Sequence, residues 1–186
     1  MKLLQEGRYN EAIAALTSAI NLGRNAPGQD PLDALYARSM AYSRSGRASD
    51  AIADLESLVK VRDDPHYREE LAIAYAAVGK REAAIEQYRS LLQAHPDDAW
   101  FNLQVGFLYL KARDYRKAVQ AYDKALANRK QLTETLVADA YDNLGIAYFY
   151  LCWREEAIAA FKKAAELNPQ FATGLANANR LMCQRL

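Results

Sequence analysis

One segment of about 14 residues recurs five times along the chain, and this internal repeat constrains the fold more than any other sequence feature. The copies begin at Gly7, Gly46, Gly79, Arg113 and Cys152, so that successive starts are separated by 33 to 39 residues. A period of this length is typical of proteins that stack one small supersecondary unit on the next. The sequence therefore predicts an array of repeats.

Each copy carries the same pattern of apolar residues. An alanine stands five residues after the start, a β-branched residue follows it, and a large apolar residue comes three positions later, as in Ala118, Val119 and Tyr122. Spacings of one, three and four residues place these side chains on one face of an α-helix. The recurring alanine predicts a close helix–helix crossing, because a larger side chain would push the two backbones apart.

A second helical pattern precedes each copy, and tyrosine recurs four residues before four of the starts, at Tyr42, Tyr75, Tyr109 and Tyr148. Glycine at the first three starts is typical of a helix end with left-handed backbone. Arg113 and Cys152 stand at that place in the last two copies, so we expect the turn there to tolerate a side chain. Each repeat is therefore predicted to be a pair of antiparallel helices.

The periodicity predicts ten helices, at about 9–22, 32–45, 48–61, 66–78, 81–94, 98–112, 115–128, 132–151, 154–167 and 171–184. We expect one array over residues 1–186, with a partial repeat at 1–30, repeats at about 32–64, 65–98, 99–132 and 133–170, and a capping helix at 171–184. The connection at 21–31 is predicted to be a surface loop. The connection at 128–135 contains no helix breaker and is predicted to lengthen the helix that follows.

The residues that carry a family pattern are clearest in the last repeat: Leu144, Gly145, Tyr148, Ala157, Phe161, Ala164 and Pro169. This pattern resembles the tetratricopeptide repeat family, and the resemblance covers essentially the whole chain. Arg38 departs from it, because a leucine is usual at that position. The resemblance implies an all-α, right-handed superhelical solenoid of helix pairs with a C-terminal capping helix, and a role in protein binding without catalysis.

Composition and motifs argue against several other functions. The net charge is +1, from 24 basic and 23 acidic side chains, which leaves no surplus of basic residues for nucleic acid. No apolar run approaches the roughly 20 residues of a membrane-spanning helix. Phosphate loops, nucleophile elbows and two-histidine zinc helices are missing from the sequence, which predicts no enzyme, no cofactor and no metal site. His66 and Glu69 are interpreted as a polar helix start.

The N-terminal sequence becomes polar by its fifth residue and does not resemble a signal peptide. This favours the cytoplasm, although a periplasmic chain from which a signal peptide had been removed would look the same. The compartment is therefore left open.

The resemblance also implies that the first helix of each pair lines a concave groove. Side chains on these helices that packing does not require are predicted to bind a partner: Tyr36, Met40, Ile73, Trp100, Leu103, Phe107, Leu110, Asn143, Ile146, Phe149 and Tyr150. Clustered exposed aromatic residues are typical of an interaction surface. The alternative is that a tight superhelix lets these groups cover one another.

Some tetratricopeptide proteins grip a terminal carboxylate with Lys, Arg and Asn side chains on three first helices. The matching positions in this chain hold residues such as Met40, Trp100 and Gln104, which lack those charges. An acidic C-terminal peptide is therefore not the expected ligand.

The sequence thus favours a scaffold that binds a peptide or helix of a partner protein through apolar anchors. A second hypothesis is self-association into a homo-oligomer, since the missing first helix would leave Ile13, Leu16 and Ile20 exposed. A third is that the chain is the targeting or regulatory part of a larger enzyme or of a secretion or assembly system.

Overall fold

The computed structural model describes residues 2–23 and 30–174, and within them it contains helices and no strand. The α-helices are α1 (Lys2–Gln5), α2 (Tyr9–Asn21), α3 (Pro31–Arg44), α4 (Ala48–Val61), α5 (Pro65–Ala77), α6 (Arg81–Ala94), α7 (Ala99–Lys111), α8 (Tyr115–Ala127), α9 (Glu134–Tyr150) and α10 (Arg154–Leu167). Two 3-10 turns lie at Arg129–Gln131 and Pro169–Phe171. The all-α fold predicted from the sequence is confirmed. The predicted capping helix at 171–184 lies mostly outside the described residues.

The chain divides into two compact units, Met1–Gln87 and Tyr88–Leu186, and the division falls within α6. The first unit contains the helices from α1 to the first half of α6, and the second contains the remaining helices. Each unit is built from consecutive helices that pack side by side along the chain.

A polar side chain begins each of the four first helices from α3 onwards. Asp30 accepts a hydrogen bond from the N–H of Leu32 at 3.0 Å, and Asp64 accepts one from His66 at 2.8 Å. Asp98 and Thr133 do the same for α7 and α9. These bonds satisfy backbone donors that have no partner inside the helix. Asp30, Asp64, Asp98 and Thr133 therefore act as N-caps.

The first helices also end in the same way. The N–H of the residue after the turn donates to a carbonyl five residues earlier, in the pairs Arg47–Tyr42, Lys80–Tyr75, Asp114–Tyr109 and Trp153–Tyr148, at 2.9 to 3.0 Å. The residue between has positive φ in every case: +78° at Gly46, +80° at Gly79, +62° at Arg113 and +61° at Cys152. The same helix-ending turn thus forms with or without glycine, as the sequence predicted.

The recurring alanines are buried at the helix crossings. Ala51, Ala84, Ala118 and Ala157 have no exposed surface, and Ala12 is 3% exposed. In the second unit Gly106 of α7 lies against the ring of Tyr122, where a Cβ would come within 3.0 Å of the ring carbons. Small residues on one helix therefore accommodate the aromatic ring of the next, which confirms the close crossing expected from the alanine pattern.

A buried ion pair joins three helices of the first unit. Arg38 on α3 donates to both carboxylate oxygens of Asp54 on α4, at 2.8 and 2.6 Å, and to the hydroxyl of Thr17 on α2 at 3.1 Å. Asp54 is only 5% exposed. This network explains why an arginine can stand where the repeat pattern usually has leucine.

The surroundings of Ile13 and the start of α9 differ from the sequence expectations. Ile13 is not exposed: α1 packs on α2, and Ile13 is 7% exposed in a cluster with Leu4 and Ala37, while Leu16 and Ile20 are half-buried. The connection at 128–135 does not extend the next helix back to residue 132, because Thr133 caps α9 and the preceding residues form a separate 3-10 turn. Helix α9 has 17 residues and is longer than the other helices of the described chain, as the sequence predicted.

Candidate functional site

In the first unit, Tyr36 and Met40 line a cavity of about 450 Å³ between α1 and α3. Leu4, Asp33 and Arg44 contribute to the same cavity. Ile73, on α5, is 43% exposed and is not among the residues that line it. Two of the three groove residues predicted for this unit therefore share one surface.

Tyr36 is fixed by contacts with α5. Its hydroxyl forms a hydrogen bond with Nε2 of His66 at 2.5 Å, and its ring centroid lies 5.3 Å from that of Tyr67. Burial raises the pKa of Tyr36 to about 12. The His66 side chain bonds to Tyr36, and the His66 backbone N–H donates to Asp64. His66 therefore belongs to a polar helix start.

In the second unit, two cavities lie along α7 and α9. The cavity of about 410 Å³ is lined by Leu103, Gln104, Phe107, Leu136, Asp139, Asp142, Asn143 and Phe171. The cavity of about 470 Å³ is lined by Asp142, Ile146, Phe149, Tyr150, Phe161, Gln170, Phe171, Thr173 and Gly174. Because Asp142 and Phe171 line both, the cavities adjoin. We call this surface the α7–α9 groove, defined by Gln104, Phe107, Asp139, Asp142, Asn143, Ile146 and Phe149.

The apolar side chains of the groove are supported from behind and open in front. Phe107 is 39% exposed, with Nζ of Lys111 5.0 Å from the centre of its ring. Ile146 and Phe149 are half-buried against Phe161. Among the described residues, the side chains of Phe107, Ile146 and Phe149 therefore stay partly exposed.

Tyr150 forms the outer edge of this surface. It is 58% exposed, and its ring stacks on that of Tyr115 with centroids 4.7 Å apart and planes 9° apart. The ring of Phe149 packs edge-on against the ring of Tyr150, with centroids 5.7 Å apart. The stacking holds Tyr150 in one orientation beside the groove.

Three predicted groove residues of α7 serve mainly in packing. Leu103 is 8% exposed and belongs to the core formed with α8 and α9, although its edge reaches the smaller cavity. Trp100 and Leu110 are half-buried against the same core and line neither cavity. These three side chains are covered more than the sequence analysis expected, because α8 and α9 both pack on α7.

Four polar side chains line the smaller cavity: Gln104, Asp139, Asp142 and Asn143. Within the described part of the chain, none of them has a hydrogen-bond or ion-pair partner. All four are half-buried. Burial, and then the neighbouring Asp139 carboxylate, raise the pKa of Asp142. The floor of the groove is therefore acidic and has unused donors and acceptors.

The sequence contained a pattern for part of this set and none for the rest. Asp139, Asp142, Ile146 and Phe149 are spaced three, four and three residues apart, which places them on one helical face. Phe171 has no such pattern, because it lies in the 3-10 turn after α10. Only tertiary packing brings it beside α9.

Residues 2–23 and 30–174 contain no group of three or more His, Cys, Asp or Glu side chains placed to hold a metal ion. A search of the same residues finds no helix with the length and apolar character needed to cross a bilayer. The chemistry available at the groove is thus that of apolar contact, hydrogen bonding and carboxylate charge.

Two family models match the chain. Residues 97–170 match the tetratricopeptide repeat model, and residues 11–98 match the bacterial transcriptional activator domain model. The first match covers α7 to α10 and therefore the whole α7–α9 groove up to Gln170. No curated protein sequence matches significantly.

Solved structures of helical repeat proteins resemble the chain along most of its length. A crystal structure of MamA is 23% identical, covers 92% of this chain and 95% of its own, and gives a TM-score of 0.77. MamA from Desulfovibrio magneticus is 24% identical over 81% of this chain and 84% of its own, with a TM-score of 0.74. A tetratricopeptide repeat protein from Parabacteroides merdae is 20% identical over 95% of this chain and 68% of its own, with a TM-score of 0.79. At these identities the likeness establishes the fold.

Proposed function

Because residues 97–170 match the tetratricopeptide repeat model and the chain shares the fold of such proteins, we propose that it is a protein-interaction scaffold that holds a segment of a partner protein in the α7–α9 groove. The fold supports the general role of a protein-binding scaffold. The specific site, a groove along the first helices of the second unit, is our proposal. The repeat boundaries between residues 32 and 170 stay a prediction.

The observation that carries the proposal is the continuity of the two cavities on one face of the second unit. Apolar rings that stay partly exposed lie beside amides and carboxylates without partners. A peptide offers both kinds of group, since its side chains can cover the rings while its backbone pairs with the amides.

The affinity of such a site should be modest. Phe107, Ile146 and Phe149 are the apolar anchors, and full burial of each would contribute about 1.5–3 kcal/mol at most. Loss of translational and rotational freedom and the ordering of the peptide oppose this by at least several kcal/mol. We therefore expect dissociation constants in the micromolar range.

The self-association hypothesis has lost part of its sequence argument, although Leu16 and Ile20 stay half-buried. It depended on an exposed face at Ile13, Leu16 and Ile20, and α1 covers the centre of that face. The groove in the second unit is thus the better-supported interaction surface.

The test is selection of 12-residue peptides from a random displayed library on the immobilised chain. The selection is repeated on a variant with Phe107→Glu and Phe149→Glu. We expect the wild-type chain to enrich a family of related peptides that bind with micromolar affinity. The variant should bind these peptides with at least tenfold lower affinity. Circular dichroism verifies that the variant keeps its helical content.

The matched control is Leu167→Glu on α10. Leu167 is 36% exposed, close to the 39% of Phe107, but lines neither cavity. This control should bind the selected peptides as the wild type does. Equal binding by the double variant and the wild type would overturn the proposal.

A further inference from the structure

The charge of the α7–α9 groove restricts which peptides it can accept. Asp139 and Asp142 lie three residues apart on α9, and both line the smaller cavity. Neither forms an ion pair with a residue of the described chain. A ligand that buried them further without supplying positive charge would leave two carboxylates desolvated and unpaired, which is costly.

Among residues 2–23 and 30–174, no lysine or arginine lines either cavity. The nearest cation on α7 is Lys111, whose ammonium group lies over the ring of Phe107 and which lines neither cavity. The remaining polar groups of the smaller cavity are the neutral amides Gln104 and Asn143. The groove therefore offers an acidic centre between apolar ends.

The apolar ends are placed on either side of the carboxylates. Phe107 and Leu136 line the cavity that also holds Asp139, whereas Ile146 and Phe149 line the cavity on the other side of Asp142. A bound segment that spans both cavities must pass over the carboxylates. Its sequence should therefore alternate in the same order, with apolar, then basic, then apolar residues.

Resting on the proposed function, we infer that the α7–α9 groove binds a protein segment in which a lysine or arginine lies between apolar residues. The basic side chain pairs with Asp139 and Asp142, and the flanking apolar side chains cover Phe107 on one side and Ile146 and Phe149 on the other. The amides of Gln104 and Asn143 are available to the segment's backbone. Charge complementarity of this kind raises specificity and makes binding depend on salt.

The first experiment sequences the peptides that the displayed 12-residue library yields on the wild-type chain and on a variant with Asp139→Asn and Asp142→Asn. We expect lysine or arginine beside apolar residues in the wild-type pool, and loss of the basic residue in the variant pool. Substitution by asparagine keeps the size of each side chain while removing its charge, so the groove should stay open.

The second experiment measures fluorescence anisotropy with the tightest wild-type peptide and with two versions in which its basic residue is replaced by norleucine or glutamate. We expect the glutamate peptide to bind at least tenfold more weakly at 50 mM NaCl, with less difference at 500 mM. In the variant with Asp139→Asn and Asp142→Asn, the affinities of the peptides should differ by less than threefold. Asp123→Asn on α8 is the control, because this carboxylate lines other cavities and should leave the preference unchanged.

The outcomes separate the two proposals. If selected peptides require Phe107 and Phe149 but contain no enriched basic residue, or if the norleucine peptide binds as tightly as the original, the inference is wrong and the scaffold function stands. If binding is indifferent to the Phe107 and Phe149 substitutions, the proposed function itself fails.

Discussion

The ring of Phe161 on α10 lies directly against the backbone of Gly145 on α9. A Cβ atom built on Gly145 would come within 2.7 Å of a ring carbon of Phe161, closer than such atoms approach in real proteins. Gly106 on α7 stands in the same relation to Tyr122, at a less severe 3.0 Å. Glycine in the first helix and an aromatic ring in the second thus set how closely α7 packs on α8 and α9 on α10.

Gly145→Ala should therefore destabilise the protein. Alanine favours a helix over glycine by about 1 kcal/mol, but overpacking of a filled core costs about 1–3 kcal/mol. We expect a net fall in the free energy of unfolding, and a smaller fall for Gly106→Ala. Urea denaturation followed by circular dichroism measures both, and adding Phe161→Leu to Gly145→Ala should recover part of the loss. A stabilised Gly145→Ala protein would contradict this packing.

Tyr122→Phe should stabilise the protein or leave it unchanged. Tyr122 has no exposed surface, and its hydroxyl has no hydrogen-bond partner in the described structure. Burial of an unpaired hydroxyl costs about 1–3 kcal/mol, and phenylalanine removes that group without changing the ring. The matched control is Tyr75→Phe, which loses a 2.6 Å hydrogen bond to Glu56 and should cost about 0.5–1.5 kcal/mol. Opposite signs in thermal denaturation would confirm the difference; a destabilised Tyr122→Phe would count against it.

Substitutions of Arg38 and Asp54 should be strongly coupled, because removing one partner should cost more than removing both. Replacing Asp54 by alanine leaves the partly buried Arg38 guanidinium without its carboxylate partner, and the cost should stay below the roughly 3–5 kcal/mol typical of a fully buried pair. Arg38→Leu restores the residue usual for the repeat. The double variant Arg38→Leu, Asp54→Leu should lose far less free energy of unfolding than either single variant. A double-mutant cycle in urea measures this coupling. Additive single and double effects would show that the pair does not act as a unit.

Asp142→Asn should raise stability at neutral pH and have less effect in acid. Burial and Asp139 raise the pKa of Asp142 in the folded state above its unfolded value. The folded protein therefore favours the protonated form, so this carboxyl is not destabilising below its unfolded pKa and becomes so as the pH rises through the folded pKa. The difference in melting temperature between variant and wild type should be present at pH 7 and shrink towards pH 4.

Asp30→Asn is the control of opposite sign for this pH series. The hydrogen bond from the Leu32 N–H and the contact with Arg62 lower the pKa of Asp30. Its carboxylate therefore stabilises the folded state above its unfolded pKa, and that contribution is lost as the pH falls. The variant should lose stability at pH 7 and approach the wild type in acid. Identical pH profiles for Asp142→Asn and Asp30→Asn would show that their environments do not differ as described.

The helices and their turns were predictable because their causes are local. Alanine, β-branched and aromatic residues at helical spacing set the buried face of each second helix, and Asp64 and Asp98 cap helices through atoms only a few residues away. The helix-ending turn at Arg113 was predictable from its place in the repeat, since the hydrogen bond from the Asp114 N–H to the Tyr109 carbonyl spans only six residues. Interactions between residues a few positions apart can be predicted directly from the sequence.

The groove could be predicted only in part, because exposure depends on which helices pack together. Sequence spacing placed Phe107, Ile146 and Phe149 on free faces, and these residues do line cavities. It also placed Leu103 and Leu110 there, although α8 and α9 both pack on α7 and cover most of these side chains. Helical periodicity gives the direction of a side chain but not the number of neighbouring helices that cover it.

The sequence by itself determined the helix pairs, their boundaries to within a few residues and the alanine-lined crossings. Only the tertiary structure decided that α1 covers Ile13, that Arg38 pairs with Asp54, and that Phe171 joins Asp142 beside α9. The physical reason is range: hydrogen bonds and helical periodicity act between residues a few positions apart, whereas burial and ion pairing depend on residues brought together from distant parts of the chain.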